Sequence, residues 1–332
     1  MLRGLAMACV ILAHPIGVPS DVETLIYSFH MPLFFMISGA TFRYEKYATF
    51  GACVKDQAIK LLVPYVTLYL VCVPAWYLNH RVLGSSTTPL DEFVPGFFAA
   101  NQDVAAMPNG ALWFLPALFL ATVVYWGLCR LDRTGRVSLA GSLGTCFALG
   151  VALCTFTDTP LAWHVDCIPM IVFFYALGQQ LFSLYRKKRD VLDSASPNVL
   201  VPAIAVLLSL GVWASTVNGK ISVHGNDYHI VFLALVSSVC ISVALALILM
   251  RLPRIWVLSY AGRASLAFFG LHVPVMRFFE NLPATEGLFS AHPLWVAVVT
   301  FVVLMPLTYL VERFLPFVIG RPFGSFVRSP RP

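Results

Sequence analysis

Two imidazoles, a guanidinium and a hydroxyl lie near the start of the chain, in sequence that otherwise has the composition of lipid-embedded helix. They belong to Arg3, His14, His30 and Ser38. An ionisable group inside a membrane helix is energetically costly, so it marks a candidate functional site. Histidine exchanges protons near neutral pH and arginine binds anionic groups. The stretch therefore indicates acid–base chemistry on an anionic ligand.

Arg3 and His14 are eleven positions apart. That spacing is about three helical turns plus 20°, so both side chains share one helix face, about 16 Å apart along the axis. This face would suit a long donor such as acyl-coenzyme A, with its anionic head at the cytoplasmic surface and its reactive end within the membrane. Two simpler roles stay open: Arg3 as a snorkelling anchor and His14 as a hydrogen-bonding partner of a neighbouring helix.

The composition is that of an integral membrane protein. Of 332 residues, 59% are hydrophobic and 11% are charged, and the mean hydropathy is +0.80. Apolar stretches of the roughly 20 residues needed to cross a bilayer recur along the chain without an internal repeat. We predict an all-α membrane protein, a single domain over 1–332 with a long external loop at 79–111 and a cytoplasmic tail at 313–332. The predicted spans form one bundle: 2–17, 25–42, 61–78, 112–129, 138–155, 165–184, 199–216, 229–250, 256–275 and 293–312.

The basic residues predict the orientation. With a cytoplasmic N-terminus, only Arg81, Lys220 and Arg277 of the 22 lysines and arginines fall outside. The positive-inside rule therefore places both termini in the cytoplasm. Because the net charge of +6 reflects this distribution, no nucleic-acid partner is expected. The same orientation puts all histidines at outer helix ends or in outer loops: His14, His30, His80, His164, His224, His229, His272 and His292.

The motifs of soluble hydrolases, nucleotide-binding proteins and metalloenzymes are missing from the sequence. The eight cysteines include no CxxC pair and lie mostly in apolar runs, so neither disulfides nor a metal site is expected. There is also no GxSxG, GxxxxGK[ST] or HExxH motif. Catalysis would therefore have to use polar residues within the helix bundle.

Five sequence blocks occur in order along nearly the whole chain: Arg3 with His14, the FFxxSG of Phe34 to Gly39, Lys60 to Tyr65, Ala111 to Phe119, and Leu258 to Pro274. Together they resemble the acyltransferase 3 family of membrane-bound carbohydrate O-acyltransferases. The blocks around Trp113 and His272 resemble its fucose 4-O-acetylase-like subset, which acetylates sugars of bacterial surface polysaccharides.

The resemblance implies an enzyme of the bacterial inner membrane that takes an acyl group, with acetyl expected, from acetyl-CoA on the cytoplasmic side. The acceptor would be a hydroxyl of an outward-facing saccharide or lipid-linked glycan. The family's catalytic residues correspond to Arg3 and His14, and we expect His14 to act as general base while Arg3 orients the donor. Whether His14 itself carries the acyl group stays open.

Further site residues are expected on both sides of the reaction. On the donor side these are Arg3, Lys55, Lys60, Ser38 and Gly39, and on the acceptor side His30, Trp113, Asp166 and His272. Ser38 and Gly39 would equally serve close helix packing, and Trp113 would equally serve as a membrane anchor. Asp166 is expected to pair with a histidine or to bind sugar hydroxyls.

The chain departs from the family pattern in two places. Relatives carry a basic RxxR-like element where this chain has Gln57-Ala-Ile-Lys60, so Lys55 and Lys60 are the cations that would replace it. Only two residues precede Arg3, so we expect a natural start further upstream or a trimmed chain. The competing interpretations are a secondary transporter or lipid-linked-sugar carrier, typically built from two related halves, and a family member that only binds its ligand.

Overall fold

The computed structural model describes residues 1–84, 88–156 and 160–321, except the side chains of Glu286 and Ser290. Within these ranges the chain is mainly helical, with one isolated β-bridge between Ser222 and Asp227 and no strand. The helices are α1 (Leu2–Ala13), α2 (Ser20–Tyr27), α3 (His30–Thr41), α4 (Phe50–Gln57), α5 (Val63–Trp76), α6 (Phe93–Ala99), α7 (Phe114–Arg133), α8 (Leu139–Phe156), α9 (Ile168–Lys187), α10 (Arg189–Ser194), α11 (Pro197–Asn218), α12 (Val231–Arg251), α13 (Trp256–Arg263), α14 (Ser265–Asn281), α15 (Glu286–Ala291) and α16 (Pro293–Phe314).

Seven helical segments in the described ranges are long and apolar enough to cross a membrane. This confirms the predicted all-α membrane protein, whereas the count of ten spans and the cytoplasmic location of both termini remain predictions. In one of them α4 and α5 join into a single segment through a π-helical turn. The seven segments are Phe50–Val82, Gly110–Arg133, Leu139–Phe156, Ala162–Lys187, Pro197–Asn218, Val231–Arg251 and Pro293–Phe314.

The first two predicted spans form shorter helices than expected. Both α1 and α3 have 12 residues, which is about 18 Å against the roughly 30 Å of a hydrocarbon core. Helix α1 ends at Ala13 because Pro15 cannot continue it and restricts the residue before it. Helix α3 begins only at His30, after the separate helix α2. Both imidazoles therefore lie at helix ends, which a membrane protein tolerates only where other protein covers the backbone.

Close packing in the centre of the bundle depends on glycines of α3 and α9. A Cβ on Gly39 would lie 1.8 Å from the carbonyl oxygen of Tyr175, and one on Gly178 would lie 2.0 Å from that of Met36. Small residues let membrane helices approach backbone to backbone in this way. The two helices thereby form a rigid support on which His30 is mounted.

The N-terminal helix is fixed by a similar contact with α13. A Cβ on Gly4 would lie 1.9 Å from the carbonyl oxygen of Leu258. The span predicted over 256–275 is divided into two helices, because α13 ends at Arg263 and α14 begins at Ser265. Helix α14 then packs against α1 and α16 and brings His272 to the end of α1.

The predicted external loop at 79–111 contains the short helix α6. Tyr65 and Tyr69 of α5 donate hydrogen bonds of 2.7 Å to the carbonyl oxygens of Phe97 and Phe93 in α6. These two bonds hold the loop against α5. Part of the loop, 85–87, and the tail beyond 321 lie outside the described residues.

Candidate active site

A cavity opens at the end of the bundle that the sequence predicts to face outward. Its volume is about 430 Å³, including the part open to solvent. It is formed by the end of α1, the α2–α3 junction, the segment before α7, the loop between α11 and α12, and α14. The side chains that matter chemically are those of His14, Tyr27, His30, Trp113, His224 and Phe269.

His14 is held in one orientation by its own helix. Its Nδ1 lies 2.7 Å from the carbonyl oxygen of Val10, one turn earlier. A carbonyl oxygen only accepts hydrogen bonds, so Nδ1 carries the proton of this bond. In the neutral ring Nε2 then has the free lone pair, which is the state a general base requires.

His272 lies directly beside His14. The two ring centroids are 5.0 Å apart and the rings meet edge to face. The His272 ring is fully buried, and its Nδ1 donates to the carbonyl oxygen of Phe269 at 2.7 Å. Its Nε2 has no hydrogen-bond partner in the described part of the chain. His272 is therefore placed to fix the His14 ring.

His30 and Tyr27 form the next part of the wall. The His30 Nδ1 donates to the carbonyl oxygen of Ile26 at 2.8 Å, the same arrangement as in His14. The Tyr27 ring lies between the two imidazoles, 6.3 Å from His14 and 4.9 Å from His30. The Lys220 ammonium lies 4.5 Å from the Tyr27 ring centroid, so the loop after α11 reaches this wall as well.

Trp113 faces two further histidines on the opposite wall. Its ring centroid is 4.8 Å from that of His164 and 6.1 Å from that of His224. The His164 Nδ1 donates to the backbone oxygen of His224 at 2.9 Å, which ties the two segments together. Trp113 is only 5% exposed, so the described protein buries most of its ring and leaves part of it to line the cavity.

Asp166 makes no hydrogen bond to a histidine among the described residues. Its side chain is buried, and Oδ2 accepts a 3.5 Å hydrogen bond from the Cys167 thiol. Its other oxygen has no partner among the described residues, and its binding of sugar hydroxyls stays a prediction. The carboxylate that does pair with a cavity histidine is that of Asp103, 3.2 Å from Nδ1 of His224.

Arg3 lies at the opposite end of α1 and does not line the cavity. It is half-buried beside Gly262 of α13, and its guanidinium has no hydrogen-bond or ion-pair partner within residues 1–84, 88–156 and 160–321. Arg254 and Arg263 lie close to the same end of the helix. A guanidinium without a protein anion and with cationic neighbours suits a phosphate-bearing ligand.

The other predicted donor-side residues have local partners. The Ser38 hydroxyl donates to the carbonyl oxygen of Phe34 at 2.8 Å, and Gly39 packs against α9, in agreement with the packing role considered for both. Lys60 binds the Asp56 carboxylate at 2.7 Å, which Lys46 shares at the same distance. Contact of these residues with a donor remains a prediction.

Lys55 of α4 is exposed, as is Lys60. Tyr47 lies close by, in the loop before α4. Partial burial and the hydrogen bond to the Asp56 carboxylate raise the pKa of Tyr47 above its usual value. Tyr47 therefore stays a neutral hydrogen-bond donor across the physiological pH range.

No sequence pattern singles out Tyr27, His224 or Phe269. His224 was one of eight outer histidines, and nothing in its loop distinguished it from His229. Tyr27 and Phe269 are aromatic residues in apolar stretches, where a packing role is the ordinary expectation. Only the fold, which brings α2, the α11–α12 loop and α14 to one cavity, identifies them.

The family follows from a comparison with known proteins. A family model described as an acyltransferase domain matches residues 1–313 of the 332. The chain belongs to the acyltransferase 3 family. It is thus a membrane acyltransferase, as the sequence blocks predicted, and the transporter interpretation loses its support. No curated protein and no solved structure matches this acyltransferase, so its likeness to the sugar-acetylating subset stays a prediction.

Proposed function

We propose that this acyltransferase moves an acyl group, acetyl in the first instance, from cytoplasmic acyl-CoA to a hydroxyl of an outward-facing saccharide. The observation that carries the proposal is the orientation of the His14 ring in the cavity. Its Nδ1 donates a hydrogen bond to the Val10 carbonyl oxygen at 2.7 Å, so its Nε2 is the basic atom available to a bound hydroxyl.

The transfer requires one proton to be moved. As the acceptor hydroxyl loses its proton to Nε2 of His14, its oxygen bonds to the thioester carbon and a tetrahedral intermediate forms. The intermediate collapses with cleavage of the carbon–sulfur bond, and the thiolate of coenzyme A leaves. The imidazolium then returns the proton to the departing thiolate, so His14 ends in its starting state.

A second route through His14 uses the same atom. Nε2 would attack the thioester carbonyl directly, and coenzyme A would leave as its thiolate. In a second step the acceptor oxygen would take the acyl group from the imidazole, and its hydroxyl proton would neutralise the thiolate. The structure of the cavity is compatible with both routes. Trapping of an acyl-histidine in the absence of acceptor distinguishes them.

The polar walls of the cavity support a saccharide as acceptor. Sugars present hydroxyl donors on their rims and apolar C–H groups on their faces. Protein sites for small ligands combine apolar and aromatic side chains with a few placed polar groups. The cavity has this composition, with Trp113, Tyr27 and Phe269 beside His30 and His224.

The donor end of the proposal rests on Arg3. Its guanidinium, which has no anionic partner in the described part of the chain, and the neighbouring Arg254 and Arg263 form a cationic surface that matches the phosphates of coenzyme A. The helix between Arg3 and His14 is about 16 Å long, so the pantetheine arm would have to bridge this distance. Arg3 thus orients the donor and takes no part in proton transfer.

The test in cells compares surface glycans of the encoding organism with and without the gene. Loss of an acetyl mass from one sugar would name the acyl group and the acceptor together. Re-expression of the natural chain should restore that mass, and re-expression of His14→Ala should not. Unchanged glycans after loss of the gene would refute a saccharide acceptor.

A further inference from the structure

The loop between α11 and α12 forms a fixed cap over one side of the cavity. Ser222 and Asp227 exchange two backbone hydrogen bonds of 2.8 and 2.9 Å. Asn218 closes the loop at its base, since its side chain donates to the Tyr228 carbonyl at 3.0 Å and accepts from the Ile230 amide at 2.9 Å. The cap therefore has a defined shape, as a binding element needs.

The cap and the segment opposite it contain backbone conformations that side chains rarely adopt. Asn226 and His229 in the cap have φ of 51° and 47°, and Trp163 and His164 opposite have φ of 60° and 50°. Left-handed conformations of residues other than glycine tend to concentrate at functional sites and ligand clamps. In this arrangement the ring centroids of His164 and His224 are 6.3 Å apart.

His224 is the polar side chain that the cap contributes to the cavity, beside the apolar Val223. Its Nδ1 lies 3.2 Å from Oδ2 of Asp103, so the carboxylate accepts the Nδ1 proton and holds the ring. In the neutral ring Nε2 is then left as a hydrogen-bond acceptor. The carboxylate comes from the loop after α6, and two separate outer segments thus cooperate to aim one imidazole.

Three acceptor atoms near His224 are buried outside the cavity. The Nε2 of His164, Oδ1 of Asp166 and Oδ1 of Asn226 have no hydrogen-bond partner among the described residues, and none of these residues lines the cavity. The polar atom that the cap offers to a ligand is therefore Nε2 of His224, an acceptor that matches an O–H donor.

We propose that His224, held by Asp103, binds a hydroxyl of the saccharide acceptor and positions it for deprotonation at His14. This rests on the proposed function. It assigns to the cap the recognition of the acceptor, and it separates that task from the proton transfer at His14. The cap is then the part of the chain in which acceptor specificity is encoded.

The cap itself offers a matched control. It contains a second histidine–carboxylate pair, in which Nδ1 of His229 lies 3.3 Å from Oδ1 of Asp227. That pair is exposed and does not line the cavity. Disturbing it tests the integrity of the cap without removing a group from the site.

The experiment uses the purified full chain in detergent, labelled acetyl-CoA, and surface glycan extracted from the encoding organism as acceptor. His224→Gln and Asp103→Asn should each raise the KM for glycan about tenfold, the equivalent of one lost hydrogen bond at about 1.4 kcal/mol. Release of coenzyme A without added glycan should be unchanged. His229→Gln and Asp227→Asn should leave both quantities unchanged.

Three results would overturn the assignment. One is an unchanged KM for glycan in both His224→Gln and Asp103→Asn. Another is an equal rise in His229→Gln, which would show a structural role of the cap only. The third is an equal loss of glycan-independent coenzyme A release, which would place His224 in the donor reaction. A natural chain that transfers no acetyl group to glycan would contradict the proposed function and, with it, this inference.

Discussion

Three imidazoles at or beside the cavity share one arrangement. In His14, His30 and His272 the Nδ1 donates to a backbone carbonyl of the preceding turn. A proton fixed on Nδ1 leaves the lone pair on Nε2 of the neutral ring, so the cavity is equipped to accept protons. The backbone of the first turn before each histidine is thus part of the acid–base machinery.

His272 should act by positioning His14. His272→Ala should lower kcat about ten- to hundredfold with little change in the KM for either substrate, because the edge contact at 5.0 Å would be lost. His272→Asn should recover part of that loss, since its amide can still donate to the Phe269 carbonyl. Initial rates measured over a range of both substrates test this, and equal rates in the alanine and asparagine variants would argue against positioning.

Several residues of the site were predictable and others were not. His14, His30, Trp113 and His272 stood out because each is costly or unusual in an apolar helix, and all four lie at the cavity or beside it. Asp166 stood out for the same reason, but its carboxylate turns towards Cys167. Asp103 could not be predicted as a site residue, because its role depends only on its contact with His224, which lies 121 positions further along the chain.

At the scale of elements, the broken helices explain why the site is where it is. Apolar stretches predicted continuous spans over 2–17 and 25–42, whereas α1 stops at Ala13 and α3 starts at His30. Hydropathy measures how apolar a window is and cannot detect that a proline or a short polar segment ends the helix inside it. The ends of these half-length helices provide the cavity with its two central imidazoles.

The glycine contact between α3 and α9 should be essential for stability. Gly39→Ala would place a methyl group 1.8 Å from the Tyr175 carbonyl, so the helices must separate, at a cost of about 1–3 kcal/mol. Gly144→Ala in α8 meets no atom within 4 Å and should leave stability unchanged or slightly improved.

Thermal unfolding of the purified variants in detergent measures both effects. The Gly39→Ala midpoint should fall clearly below that of the natural chain, and the Gly144→Ala midpoint should not. Equal midpoints for the two variants would show that the backbone contact between α3 and α9 contributes nothing.

At the scale of the whole molecule, the distribution of charge predicts how the bundle sits in the membrane. The cavity and its cap would face outward, and the four consecutive basic residues 186–189 would face the cytoplasm. An impermeant maleimide applied to intact cells should label Asp227→Cys in the cap but not Asp190→Cys in α10. Both positions are exposed, and the natural chain provides the background. Labelling of Asp190→Cys alone would reverse the orientation.

Fold class and family could be predicted from the sequence because both depend on features spread over the whole chain: apolar composition and five ordered sequence blocks. The cavity could not, because it arises where five segments of the chain meet. His14 and His272 are 258 positions apart, and no local pattern records that their rings are in contact.

The most direct measurement is the transfer of labelled acetyl from acetyl-CoA to surface glycan by purified natural chain and by His14→Ala. The variant should be folded, with an unchanged unfolding midpoint, and its transfer should fall by a factor of about 10² to 10⁴. His292→Ala, which removes an exposed histidine away from the cavity, should transfer at the natural rate. A His14→Ala protein that still transfers acetyl at the natural rate would contradict the central claim that His14 is the catalytic base.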